Sequence, residues 1–148
     1  MKVDASKYRD KGLKATPQRM AILKVLEGNT SHPSAEEIYR EVLKDYPTVS
    51  FATVYNTLQV LKDSREVLEL NIDRDKNRYD PNTNPHYHII CTECKKVEDI
   101  FTKEIIEPDI PSEIKRRFKI TRLSIQFYGI CRECQQREKE VRGKTAKS

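Results

Sequence analysis

An α+β fold in two small lobes is what this 148-residue sequence predicts: helices ending in a hairpin, then a short-stranded lobe built around two cysteine pairs. Three observations carry that prediction. Apolar residues recur at helical spacing behind good caps through residues 16–62, the turn formers Pro81-Asn82-Thr83-Asn84-Pro85 interrupt the chain, and matching Cys-x-x-Cys motifs bracket most of the second lobe.

The first helix opens at Thr16-Pro17, a capping hydroxyl followed by a proline whose missing N–H costs nothing at the first helical position. Met20, Ile22, Leu23 and Leu26 give it an apolar face, and Gly28 stops it. Ser34-Ala35-Glu36-Glu37 is a capping box for a second helix with Ile38, Val42 and Leu43 buried, closed by Pro47. Ser50 caps a third helix from Phe51 to Lys62, whose expected buried stripe is Phe51, Val54, Leu58 and Leu61. Its remaining faces carry Thr53, Tyr55, Asn56, Thr57 and Gln59, with no carboxylate before Asp63. Such a surface can read base edges in a DNA groove without repelling phosphates. Residues 66–72 and 77–80 read as two strands about an Asp-Arg-Asp-Lys-Asn turn, and helices followed by a small hairpin make a winged helix.

After the turn cluster the sequence predicts two short strands around the first Cys-x-x-Cys, a helix near Ser112–Phe118 and a strand over Lys119–Tyr128. In that strand Leu123, Ile125 and Phe127 alternate with Arg122, Ser124 and Gln126, the pattern of a sheet with one buried face. The polar tail from Gln135 predicts a short helix that frays.

Composition narrows the function. Charged residues make up 34%, and no apolar run approaches the roughly 20 residues of a membrane helix, so a soluble protein with no membrane partner is expected. The opening Met1–Lys7 lacks the apolar core of a secretory signal, which points to the cytoplasm, where four cysteines suggest metal rather than disulfides. Residues 1–24 hold seven basic side chains, Lys11, Lys14 and Arg19 among them, against two acidic ones, which equals the net charge of +5. A basic end of this kind suits a polyanion.

Cys91-Thr92-Glu93-Cys94 and Cys131-Arg132-Glu133-Cys134 can each offer two thiolates to one ion, and four thiolates complete the shell of a structural zinc. A redox motif of the thioredoxin type needs only one such pair beside a βαβ unit. With every position filled, that zinc has no open site for catalysis. All three histidines fall elsewhere. His86 and His88 share one face of a strand, and if the first knuckle is the whole hairpin turn, residues 90 and 95 pair and Asp99 lies across from His86. Asp80 lies just upstream, and His32, in a loop of the first lobe, could complete a nitrogen and oxygen shell suited to iron(II), manganese(II) or zinc. Ligands drawn from both lobes would couple ion binding to the angle between them.

In order, Thr16-Pro17-Gln18-Arg19, His32-Pro33-Ser34-Ala35-Glu36-Glu37-Ile38-Tyr39, Ala52-Thr53-Val54-Tyr55-Asn56, His86-Tyr87-His88-Ile89-Ile90-Cys91 and the paired knuckles resemble the ferric uptake regulator family, over about residues 8–137. The resemblance implies a winged-helix DNA-binding domain over residues 1–80, a hinge at 81–85 and an α/β dimerisation domain with a four-cysteine zinc site over 86–148. It implies a repressor, not an enzyme, that binds palindromic operators as a homodimer when a regulatory ion is present. Carried over, the structural zinc falls on Cys91, Cys94, Cys131 and Cys134, and iron(II) or manganese(II) on His32, Asp80, His86, His88 and Asp99. DNA contacts fall on Lys11, Lys14, Arg19, Thr53, Tyr55, Asn56 and Gln59.

Asp99 stands where iron-uptake members typically carry Glu, and Tyr87 separates a histidine pair that in such members is often a richer His-Asp-His stretch. The Tyr87 interruption implies a single regulatory site, and Asp99 resembles the peroxide-sensing branch, in which iron-dependent radical chemistry oxidises a ligating histidine; His32 and His86 match the sensitive positions. A departure occurs at Ser64-Arg65-Glu66, where the family usually has Gly, which implies a different turn with Arg65 facing DNA. The alternatives are a repressor answering to iron or zinc supply and, in another class, a metal-dependent hydrolase built on His86, His88 and an aspartate.

Overall fold

Local capping chemistry sets the boundaries of the first three helices. In the computed structural model, which describes residues 14–73, 76–102, 109–121 and 125–145, helix α1 spans Pro17–Leu26, with the Thr16 hydroxyl accepting from the Arg19 amide. Gly28 follows in the left-handed region at φ 66, where a side chain would be strained, so the chain turns there. Helix α2 spans Ala35–Asp45 behind a complete capping box: Ser34 Oγ accepts from the Glu37 amide at 3.2 Å and Glu37 Oε2 from the Ser34 amide at 2.7 Å. Helix α3 spans Phe51–Asp63 behind the Ser50 cap. Strands β1 (Leu68–Asp73) and β2 (Lys76–Asp80) pair antiparallel, Leu68 opposite Asp80, and complete a winged helix.

The chain divides into two compact units, residues 1–84 and 85–148. One continuous core fills the first: Ile22, Leu23 and Leu26 of α1, Ile38 and Val42 of α2, Val54, Leu58 and Leu61 of α3, with Val49, Val67 and Tyr79. Each such aliphatic side chain contributes about 1.5–3 kcal/mol on full burial. Two expectations for α3 fail. Phe51 is exposed, its ring edge-on to Tyr39 at 5.5 Å, whereas Thr57 is buried and donates its hydroxyl to the Thr53 carbonyl at 2.7 Å. The face packed on the core is therefore rotated toward Thr57, a short side chain that can bury by bonding its own helix.

The second unit is a three-stranded sheet in the order β4-β3-β5, from β3 (Tyr87–Cys91), β4 (Val97–Ile100) and β5 (Gln126–Gly129). β3 pairs antiparallel with β4 and parallel with β5. Helix α4 (Ser112–Arg117) lies between β4 and β5 in sequence and α5 (Arg132–Thr145) follows β5. The final helix is thus 14 residues long rather than short, starting inside the second cysteine pair. Residues 119–121 are not strand, and β5 begins only at Gln126; the predicted Arg122–Ser124 stretch lies outside the described residues. Nor is its apolar face buried: Phe127 is exposed, and elsewhere in the unit so are Ile89, Phe101, Ile114, Phe118, Ile120, Tyr128 and Ile130. The alternation read in the sequence therefore marks a surface that a single chain leaves open. Among the described residues, no helix is long and apolar enough to cross a membrane.

Candidate metal centres and nucleic-acid interface

The four cysteines converge from a hairpin turn and a helix start. Cys91 ends β3, Cys94 sits in the turn, Cys131 immediately precedes α5 and Cys134 lies in its first turn. Cys91 Sγ lies 3.9 Å from Cys134 Sγ, and Cys94 Sγ 3.8 Å from Cys131 Sγ. Sulfurs about 2.3 Å from a central zinc ion are separated by about 3.8 Å along the edges of a tetrahedron, so the donor set fits zinc. The Cys131 amide donates to Cys91 Sγ at 3.3 Å. That bond, with the Cys94 amide, draws the Cys91 thiol down to about 6, while burial among the other sulfurs pushes Cys134 up to about 12. One thiolate forms readily; holding four together requires a cation. Arg137 donates to Cys134 Sγ at 2.9 Å and offsets part of the thiolate charge. It lies three residues beyond Cys134 on α5, a helical spacing that could have revealed it in the sequence.

The hairpin register departs from expectation. His88, not His86, lies opposite Asp99, because Cys91 pairs with Lys96 and the turn holds Thr92–Lys95, with Lys95 left-handed at φ 62. The shift moves the pairing by two in residue sum, so the same side chains keep the same face. His86 Nε2 and His88 Nε2 are 3.0 Å apart, and Asp99 Oδ1 lies 3.3 Å and 3.5 Å from them. Ligands about 2.1 Å from one ion stand about 3.0–3.4 Å apart at octahedral to tetrahedral angles, so these three atoms fit a shared divalent cation. Phe101 stacks on His86 with centroids 5.4 Å apart, a contact missed in the sequence although Phe101 follows Asp99 by two, just past the end of β4.

A second, smaller set lies in the first unit. Asp80 ends β2, where its Oδ1 accepts from the Asn82 amide at 2.8 Å, and a ring nitrogen of His32 lies within 4.8 Å of an Asp80 carboxylate oxygen. His32 and Asp80 are both buried. His32 takes the left-handed region at φ 51, which costs a non-glycine residue roughly 1–2 kcal/mol.

On α3, Tyr55 and Asn56 are exposed and Thr53 and Gln59 half-exposed. Thr53 Oγ1 is 2.9 Å from the Ser50 hydroxyl, and Gln59 Nε2 donates to Asp63 Oδ1 at 2.9 Å. Lys14 is exposed, and its carbonyl accepts from Arg19 Nη1 at 3.0 Å. Lys11 lies outside the described residues. The Arg65 departure resolves as a helix-ending turn in which Arg65 itself is left-handed at φ 59 and the Glu66 amide donates to the Leu61 carbonyl at 2.8 Å.

The sequence model of the Ferric uptake regulator family matches residues 10–128. The peroxide-responsive repressor PerR of Staphylococcus aureus strain Mu50 is 41% identical over 127 residues, covering 86% of each chain. Among solved structures, the Campylobacter jejuni peroxide stress regulator is 32% identical with a TM-score of 0.64, covering 90% of this chain and all of the other. The ferric uptake regulator Fur of Helicobacter pylori is 25% identical with a TM-score of 0.70, covering 88% of this chain and 87% of the other.

Proposed function

The chain belongs to the ferric uptake regulator family of metal-dependent repressors, and from that premise we propose that it senses peroxide while bound, as a homodimer, to palindromic operator DNA in the cytoplasm. Members of the family are transcriptional regulators rather than enzymes, which sets aside the hydrolase alternative.

The observation that carries the reading is the separation of ligand chemistry. Four sulfurs form one centre within the second unit, while imidazoles and carboxylates form two incomplete sets, His32 with Asp80 in the first unit and His86, His88 and Asp99 in the second. Two or three protein ligands leave an ion's shell unfilled; five, from both sets, suit one iron(II) or manganese(II) ion. Iron(II) at such a site would supply reactivity toward hydrogen peroxide.

The protein's own groups do the rest. Cys91, Cys94, Cys131 and Cys134 hold zinc and with it the fold of the dimerisation domain, residues 86–148. Joint ligation by both sets ties that domain to the DNA-binding domain, residues 1–80, across a hinge at 81–85, which favours one presentation of α3. Tyr55, Asn56, Thr53 and Gln59 then read base edges, and Lys11, Lys14 and Arg19 meet phosphates, so affinity falls with salt. When the ring of His32 or His86 takes one oxygen atom from peroxide, the other leaving as water, it binds the ion poorly and the tie is lost. The exposed apolar residues of the second unit, with Ile89 and Phe127 paired on one face of the sheet, support dimerisation by giving a second copy something to cover.

Equilibrium binding to family-type palindromes tests the reading. Zinc-loaded dimer should bind only weakly until manganese(II) is added, and Asp99→Ala should abolish that response. Metal-independent binding would overturn it. A repressor responsive to iron or zinc supply is the second reading, favoured by the structural likeness to the Helicobacter pylori regulator.

A further inference from the structure

The loop that carries His32 is held by groups outside either metal-ligand set. A left-handed histidine persists only where its surroundings over-determine it. Here β2 does so: the Pro33 carbonyl accepts from the Tyr79 amide at 3.0 Å, and Ser34 bridges Arg78 across the two segments. At the centre is the Arg78 guanidinium. Its Nη1 donates to the His32 carbonyl at 3.2 Å and to Glu37 Oε2 at 3.1 Å, and that same oxygen accepts from the Ser34 amide at 2.7 Å.

One nitrogen thus joins the backbone of His32, the first turn of α2 and the strand that ends in Asp80, two residues beyond Arg78. The Arg78 side chain is only 22% exposed and its bond to the His32 carbonyl is sheltered, whereas Glu37, 49% exposed, meets it at the surface. Glu37 is suited to anchor it. Burial raises the carboxyl's pKa, but the Ser34 amide and then Arg78 outweigh that, and Glu37 stays ionised below its ordinary range.

We propose that Arg78, anchored by Glu37, is a positioning residue that holds His32 and Asp80 as a pre-assembled half-site for the regulatory divalent cation. This rests on the reading of His32 and Asp80 as ligands. Arg78 touches no ion; it removes the freedom of the His32 loop, so that binding need not order that loop. Residues that orient metal ligands in this way change affinity by roughly 10–100-fold when replaced.

The test measures free manganese(II) by its paramagnetic resonance signal during titration of zinc-loaded dimer, beside thermal unfolding and operator binding. Arg78→Gln should weaken manganese binding about tenfold or more, keep zinc, and regain full operator affinity when manganese is saturating. Glu37→Gln keeps an oxygen for the Ser34 amide but loses the charge facing Arg78, so it should shift affinity the same way by less, and Arg78→Lys should restore part of it. If either Gln variant lowers the unfolding temperature while the folded protein binds manganese as the parent does, the groups are structural and the proposal is overturned. His32→Ala separates the two claims. Should it weaken manganese binding where Arg78→Gln and Glu37→Gln do not, only the positioning role falls; should it have no effect, the ligand reading falls and takes the positioning role with it.

Discussion

Replacing Cys91 with Ser should unfold the second unit and spare the first. Among its described residues, the buried apolar side chains of that unit are Ile90, Cys91, Val97 and Cys134, and two of these belong to the four-sulfur cluster. Burial of Ile90 and Val97 contributes about 3–6 kcal/mol together at the usual value per aliphatic side chain. A four-thiolate zinc site contributes on the order of 10–16 kcal/mol near neutral pH. The metal term is the larger, so a sheet of three short strands depends on it. The assay is zinc content alongside amide hydrogen exchange. In the variant, zinc should be lost and protection should collapse at residues 87–91 and 126–129, while residues 17–26 and 51–63 of the winged helix stay protected. A zinc-free variant that keeps its β3 and β5 amides protected would refute the argument.

His86→Ala should retain zinc, secondary structure and dimer mass but lose manganese-dependent DNA binding, as read by sedimentation and fluorescence anisotropy; loss of folding would make His86 structural instead. Tyr55→Ala, at an exposed position of α3, should weaken operator binding by about 1–3 kcal/mol without changing manganese affinity. Arg65→Gly relieves a left-handed arginine, worth roughly 1–2 kcal/mol, against about 0.4–1 kcal/mol of added unfolded-state entropy, so thermal unfolding of the first unit should move up by a few degrees. Asp99→Glu adds one methylene beside His86 and His88; peroxide sensitivity of the iron-loaded protein should fall while manganese still supports DNA binding.

Much of the fold is written in short-range chemistry. Thr16-Pro17, the Ser34–Glu37 box and Ser50 each satisfy amides within three residues, so helix starts could be read off the sequence and α1, α2 and α3 begin where expected. The cysteine pairs were equally legible, because a knuckle is local and only its partner is remote. What was not legible depended on backbone detail or on distance along the chain. Lys95 lengthens the knuckle turn by adopting φ 62, which no residue type there announces, and so His88 rather than His86 faces Asp99. Thr57 changed places with Phe51 because a hydroxyl can bond back to its own helix, while the phenyl ring found Tyr39 at the edge of the core. Arg78 looked like an ordinary strand residue. Its partners lie 46 and 41 residues away, and only the folded chain brings them together.

The central claim is that this repressor reads peroxide through histidines that hold its regulatory ion. The direct measurement compares operator binding by the iron(II)-loaded and manganese(II)-loaded dimers before and after a brief low dose of hydrogen peroxide, with mass spectrometry of the peptides carrying His32 and His86. The account predicts that only the iron form releases DNA, with one added oxygen atom on His32 or His86. Retention of DNA by both forms, with neither histidine modified, would contradict it and leave a repressor that reports metal supply.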